Sequence, residues 1–252
     1  MNVFRVNLLE VRVAENREVL GRAAAEAVGR AITGLLRRRP VVNVMFAAAP
    51  SQNEFLAAFV QQRIDWSKVN GWHMDEYLGL DASAPQGFGN FLKERLFSKV
   101  PFREVYYMDG SADAEQECKR YAGLLAANWT DIVVLGIGEN THLAFNDPHV
   151  ARFHDPQLVK IVSLDAACRQ QQVNDGCFAT LDEVPQRAMT VTIPALMRAK
   201  NVFAVVPGAR KAAAVAHTLR EKVGEKYPST VLRRHLGAVL FLDEESAAEV
   251  RK

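Results

Sequence analysis

The chain has 252 residues, with 31 Lys plus Arg against 29 Asp plus Glu for a formal charge of +2; 49% of its residues are apolar and 24% charged. This is ordinary globular usage, which excludes a disordered tail, a fibrous repeat and a coiled coil. A balance so near neutrality also lacks the basic stripe of a nucleic-acid binder, so no nucleic-acid partner is expected.

At the N-terminus, Arg5, Glu10 and Arg12 interrupt the apolar stretch MNVFRVNLLEVRVAE. A signal peptide needs a continuous apolar core there, and a membrane span needs about 20 apolar residues. No segment meets either requirement, so a soluble, cytoplasmic protein with no membrane partner is expected. Residues 17–36 carry a helical pattern, and the run Arg37-Arg38-Arg39 before Pro40 reads as a solvated helix end favoured by the helix dipole. Residues 41–46 (VVNVMF) form a strand that runs into Ala47-Ala48-Ala49-Pro50-Ser51, and a helix follows over 52–63. Ser51 with Glu54 three residues on fits a capping box, and a helix start is also a ready anion site.

Further along, 69–77 (VNGWHMDEY) is strand-like and ends in the adjacent carboxylates Asp75 and Glu76. Helical patterns over 89–97 and 112–127 flank a strand at 105–108. The strand 131–135 then opens into GIGENTHLAFNDP at 136–148. Strands are predicted at 158–162, 189–193, 202–206 and 238–242, with a helix over 209–219 that opens on GARK at 208–211. Short apolar strands alternating with helices indicate an α/β fold: one open, mostly parallel, Rossmann-like sheet covered on both faces. No linker or repeat interrupts the order, so residues 1–252 read as a single domain. Cys118, Cys168 and Cys177 are odd in number and widely spaced, without a Cys/His metal pattern, so neither a disulfide framework nor a structural zinc is expected.

In such folds ligands sit beyond the carboxyl ends of the strands. Four strand ends carry chemistry there. A carboxylate held beside Trp72 and Met74, as Asp75 is, can act as a general base through a raised pKa. His142 follows a Gly-rich turn, with Asn140 and Asp147 nearby in sequence, which favours proton transfer over a purely structural histidine. The G-x-G at 136–138 lacks the third glycine of a dinucleotide fingerprint. Arg169 and Lys211, at two further strand ends, would form a phosphate clamp if they converged on the 47–51 loop.

The order of these segments resembles the glucosamine-6-phosphate deaminase (isomerase) family, which shares a fold with 6-phosphogluconolactonases. The resemblance runs from about 41 to 242, and MDEYLGL at 74–80, GIGENTHLAFNDP at 136–148 and PGARKAAAV at 207–215 carry it, with PSTVLRRH at 228–235 as a weaker fourth anchor. The resemblance implies ring opening of an amino-hexose 6-phosphate, a carbonyl shift between carbons 1 and 2, and release of ammonia, with no metal or organic cofactor. By resemblance, Asp75 would move the proton between the two carbons and His142 would exchange a proton with the ring oxygen. Asp147 would orient that histidine, with Asn140 beside it. Ala48, Ala49, Ser51, Glu76, Gly138, Arg169 and Lys211 are the candidate substrate- and phosphate-binding positions.

The chain departs from the family pattern in two places. Asn140 stands where an Asp is usual, which removes a charge from beside His142 and could select the other imidazole tautomer. Ala47-Ala48-Ala49-Pro50-Ser51 replaces a Thr-Gly-Gly-Thr type loop, which disfavours close backbone approach to phosphate and removes one N–H at Pro50. These departures leave open an isomerase of another sugar and a catalytically weak sugar-phosphate sensor. The hydrolase reading, as a lactonase, fits less well because Tyr77 follows Asp75-Glu76 where lactonases carry Arg. A homo-oligomer is left open, since no interface is legible.

Overall fold

The computed structural model describes residues 1–250. Its centre is an eight-stranded sheet made of β1 (Asn2–Val6), β2 (Leu9–Val13), β3 (Val42–Phe46), β4 (Val69–His73), β6 (Glu104–Tyr106), β7 (Ile132–Leu135), β10 (Asn201–Val206) and β11 (Ala238–Leu242). Their order across the sheet is β1-β2-β11-β10-β7-β3-β4-β6. All neighbours pair in parallel except the β1–β2 hairpin at the edge. Parallel strands are buried on both faces, which is why their sequences are nearly continuous apolar runs.

Alternation along each strand divides the core in two. Val44 and Phe46 of β3, Val134 of β7 and Val205 of β10 face one side, where α1 (Arg17–Leu36) and α2 (Asn53–Phe59) supply Leu20, Ala24, Val28, Ile32, Phe55 and Phe59. Met45, Val133, Leu135 and Val206 face the other, against Tyr121 and Leu125 of α4 (Ala114–Ala127) and Val215 and Leu219 of α7 (Ala212–Arg220). The three remaining α-helices among the described residues are α3 (Phe88–Leu92), α5 (Ala166–Asn174) and α6 (Ile193–Met197). Asn16 starts α1 by accepting a hydrogen bond from the Val19 N–H at 2.9 Å, a standard N-cap. A Cβ on Gly21 would lie 2.7 Å from the Glu54 backbone, so the α1–α2 approach itself requires glycine.

Several predicted elements differ. The strands expected at 158–162 and 189–193 are β8 (Val159–Ser163) and β9 (Arg187–Val191), and they leave the parallel sheet. With β5 (Asp75–Tyr77) they form a separate three-stranded antiparallel sheet, ordered β5-β9-β8. The partly exposed pattern of β8 suits an antiparallel sheet with one wet face. The helix expected over 52–63 ends at Phe59, and Pro50–Gln52 makes a single 3₁₀ turn before it. The Ser51/Glu54 capping box does not form, because no side-chain cap bonds occur there and Glu54 instead pairs with Arg17 at 3.2 Å. Arg39 is not merely solvated; it pairs with Asp131 at the start of β7.

Chain order reverses between β3 and β7. The chain steps outward from β3 to β4 and β6, then returns to lay β7 on the other flank of β3. This is the topological switch point, where open α/β sheets place their ligands. The loop after β3 is tied to its neighbour by the Ala47 N–H, which donates to the Val134 carbonyl at 2.9 Å.

Candidate active site

Beyond that switch point lies a cavity of about 50 Å³ lined by loops together with residues of β5, α3 and α5. The loop after β3 contributes Ala48, Ala49 and Ser51, and the loop after β7 contributes Gly138 and His142. β5 contributes Asp75. Gln171 and Gln172 come from α5 (Ala166–Asn174), and Lys211 from the turn before α7. Such a volume is well below the roughly 300 Å³ of common ligand pockets. A larger cavity of about 360 Å³ lies on the other side of β5. Two of its carboxylates are spent on local turns, Asp81 with Ser83 and Asp109 with Ser111. His142, Asp75 and Lys211 line only the smaller cavity, which makes it the candidate site.

His142 is fixed from several directions. Its Nδ1 lies 2.7 Å from Asn140 Oδ1 and 3.1 Å from Asp147 Oδ1. Asn140 Nδ2 donates to Asp147 Oδ1 at 3.0 Å and to Asp165 Oδ2 at 2.9 Å. Two carboxylates therefore orient the amide, and its oxygen must face the imidazole. Both groups facing Nδ1 are acceptors, so Nδ1 carries the proton and Nε2 is left as the open base. Asn140 does not select the other tautomer. The Asp165 N–H completes the set by donating to Asp147 Oδ2 at 3.1 Å. Burial alone would raise the Asp147 carboxyl, but the hydrogen bonds from His142, Asn140 and Asp165 hold it below its ordinary value.

The backbone of this loop is strained where it aims the ring. Thr141 has φ 72° and Ala144 φ 51°, both left-handed, and such values in residues other than glycine mark over-determined sites. Gly138 has a plainer reason for its identity, since a Cβ there would lie 2.2 Å from His142 Cε1. Asn146 anchors the far end, donating to Leu143 O at 2.8 Å and Val191 O at 2.9 Å.

Asp75 is buried, and its side chain makes no hydrogen bond among the described residues. Burial, reinforced by the neighbouring Glu76, pushes its carboxyl well above the ordinary value. Glu76, expected at the substrate, points elsewhere: its carboxylate accepts from Tyr77 N (2.9 Å), Phe88 N (3.0 Å) and Gly89 N (2.8 Å), holding the start of α3. His73, two residues before Asp75, is neutral: burial pushes it down to about 3, and its Nε2 accepts from Met108 N at 2.6 Å.

The phosphate clamp does not assemble. Lys211 lines the cavity, buried, with no hydrogen bond or ion pair from its ammonium among the described residues. Arg169 does not reach the cavity; its guanidinium donates to the carbonyls of Leu181 and Val184 (Nε at 3.2 Å and Nη2 at 2.9 Å for Val184), so it holds the loop after α5. Gln172, one helical turn on, lines the cavity instead, and Gln171 binds the Glu139 N–H at 2.9 Å. Sequence reasoning missed Asp165 and Gln172. An N-cap signal was present for Asp165, which accepts the Cys168 N–H, but its partnership with Asn140 was not readable from spacing. The described residues hold two groupings of potential metal ligands, His142/Asp147/Cys168 and Asp147/His149/Asp165. In both, Asp147 is already committed to His142, Asn140 and Asp165.

The profile of the family of glucosamine-6-phosphate isomerases/6-phosphogluconolactonase matches residues 15–241. The chain belongs to this family. It is 35% identical to a glucosamine-6-phosphate deaminase of Bacillus cereus (strain G9842) over 96% of its length and 88% of that protein. A deaminase of Bacillus thuringiensis (strain Al Hakam) is 34% identical over the same shares. Among solved structures, a monomeric glucosamine-6-phosphate deaminase superimposes with TM-score 0.85 at 25% identity, covering 95% of this chain and 99% of that one. A 6-phosphogluconolactonase from Thermotoga maritima superimposes with TM-score 0.76 at 18% identity, covering 92% and 98%, which speaks to the fold alone. Among the described residues no helix is long and apolar enough to cross a membrane.

Proposed function

We propose that this protein is an aldose–ketose isomerase that deaminates a 2-amino-hexose bearing an anionic group at its far end. The observation that carries the reading is one cavity shared by a desolvated carboxylate, Asp75, and an imidazole, His142, whose open nitrogen is Nε2. A base with a raised pKa and a histidine backed by a carboxylate are the two proton carriers that ring opening and enolisation require.

His142 Nε2, once protonated, delivers its proton to the ring oxygen as the C1–O bond breaks and the C1 hydroxyl proton passes to water, leaving the open-chain aldehyde; Asp147 with Asn140 Oδ1 stabilises the imidazolium. Asp75 then takes the C2 proton while water returns a proton to the C1 oxygen, generating an enolamine, and Asp75 passes its proton to C1. The resulting C2 imine is hydrolysed by water to the ketone and ammonia. Lys211, with Ser51 and Gln172, holds the far anionic end. Glu76 and Arg169 act on the framework, not on substrate. The chemistry calls only on side chains already in the cavity.

The reading is tested by incubating the pure protein with amino-hexoses and measuring ammonia, ketose and deuterium uptake at C2 in D₂O. Turnover with exchange is expected. Hydrolysis of a sugar lactone without any C2 exchange would instead place the protein on the lactonase branch.

A further inference from the structure

We propose that the far end of the cavity takes a singly charged carboxylate at C6 of the sugar, not a phosphate dianion. This deepens the isomerase reading above, on which it rests for the sugar end, and concerns Lys211, Gln172 and the 47–52 backbone.

A buried ammonium without a partner is costly and calls for a counter-anion. Lys211 is such a group: 6% exposed, facing the cavity, with its pKa pushed down by burial. The charges around it set how much negative charge the ligand should bring. Arg210 pairs with Asp175 at 3.5 Å and lies mostly in solvent, so these two offset each other. Glu139 is a further negative neighbour of Lys211, and the Arg169 guanidinium is committed to the Leu181 and Val184 carbonyls. Lys211 is thus the cationic side chain that lines the cavity, and a dianion placed against it would keep excess negative charge in a dry site.

Backbone donors add no positive charge to the site. The Ala47 N–H is bonded to Val134 O, the Gln52 N–H to Ala49 O, and Pro50 has none, which leaves the amides of the lining residues Ala48, Ala49 and Ser51 as neutral donors. Ala49 is extended at φ −163° and ψ 155°, so consecutive amides do not curl into an anion-binding nest. The remaining donors are neutral. Gln172 is 6% exposed, lines the cavity, and its amide makes no hydrogen bond among the described residues; Ser51 adds a hydroxyl. A cation and a neutral amide lining one cavity offer a donor group for each oxygen of a planar carboxylate.

The test compares three probes on the wild-type protein and Lys211→Met by calorimetry: 2-amino-2-deoxyglucuronic acid, glucosamine 6-phosphate and glucosamine. The uronate is expected to bind at least tenfold tighter than the phosphate, and Lys211→Met to bring it down to the level of glucosamine. Phosphate binding as tight as or tighter than the uronate, or no binding of the uronate, overturns the proposal. C2 exchange is followed in parallel. A uronate that binds tightest without exchange keeps this inference and sinks the isomerase reading. Exchange fastest with the phosphorylated sugar does the reverse.

Discussion

The two ends of the cavity are built on opposite plans. At the proton-transfer end, His142, Asn140, Asp147 and Asp165 satisfy one another through five contacts of 2.7–3.1 Å, and the loop that carries them holds two strained left-handed residues. At the anion end, Lys211 and Gln172 are buried and unpartnered among the described residues, and the 47–52 loop that lines the same cavity offers only neutral donors. A network satisfied in the free protein places its groups before substrate arrives, which is what proton transfer demands. An unpartnered cation leaves the folded state incomplete until the ligand supplies the charge. The first end should therefore be brittle towards substitution in activity, and the second should trade binding against stability.

The largest effect is expected at Asp75. Asp75→Asn should lower C2 exchange by about 10²–10⁴-fold, the usual share of a general base. Its effect on stability separates a catalytic carboxylate from a structural one. The folded-state pKa of Asp75 is raised, so its ionisation disfavours the fold as pH rises from about 4 through that elevated value. At neutral pH the Asn variant should melt no lower than the wild type. For the same reason the acid limb of the rate profile should lie well above the ordinary carboxylate range; a limb near pH 4 would remove Asp75 as the base.

Gly138→Ala comes next. The new Cβ meets the imidazole at 2.2 Å while the Gly138 N–H remains bonded to His142 O at 3.0 Å, so the ring must move. A loss of about 10²-fold in kcat is expected from displacing a proton-transfer group, with the circular dichroism spectrum retained. An unchanged kcat would show that the placement of His142 is not limiting. Asn140→Asp should have a smaller and distinctive effect. It replaces the two donated bonds to Asp147 and Asp165 with a third carboxylate, whose charge beside the ring favours the imidazolium form, so the rate profile should shift toward alkaline pH. Stability should drop by about 1–3 kcal/mol, because carboxylates that had a donor lose it. A profile that does not move would separate Asn140 from the relay.

What the sequence revealed follows from the range of the interactions involved. The strands at 41–46, 131–135, 202–206 and 238–242 were legible because parallel strands buried on both faces are apolar throughout. The β1–β2 hairpin was not read as structure, since its charged residues bore only on the question of a leader. The 158–162 and 189–193 strands were recognisable as strands, but their sheet was not, because membership depends on pairing with Asp75–Tyr77 roughly a hundred residues away. At the site, Asp75 and His142 stood out by residue type at strand ends. Arg169 and Glu76 did too, and their side chains point elsewhere, toward the 181–184 carbonyls and the α3 amides. Residue type can suggest chemistry, whereas the direction of a long side chain is decided by acceptors that only the fold brings near.

Arg169 is where this contrast is tested with the smallest effect. If its guanidinium serves the loop and not the ligand, Arg169→Leu should leave the affinity for an anionic sugar within about twofold, because the cavity keeps Lys211 and Gln172. It should also cost on the order of 1 kcal/mol of stability, since the Leu181 and Val184 carbonyls lose their donor. Lys211→Met should give the mirror image: anion affinity is lost, and stability is unchanged or improved because an uncompensated buried charge has been removed. Calorimetry and thermal melting on the two variants give four readings that separate the roles. If Arg169→Leu weakens anion binding tenfold while melting is unaffected, the guanidinium swings into the cavity when ligand binds, and the anion end carries two cations after all.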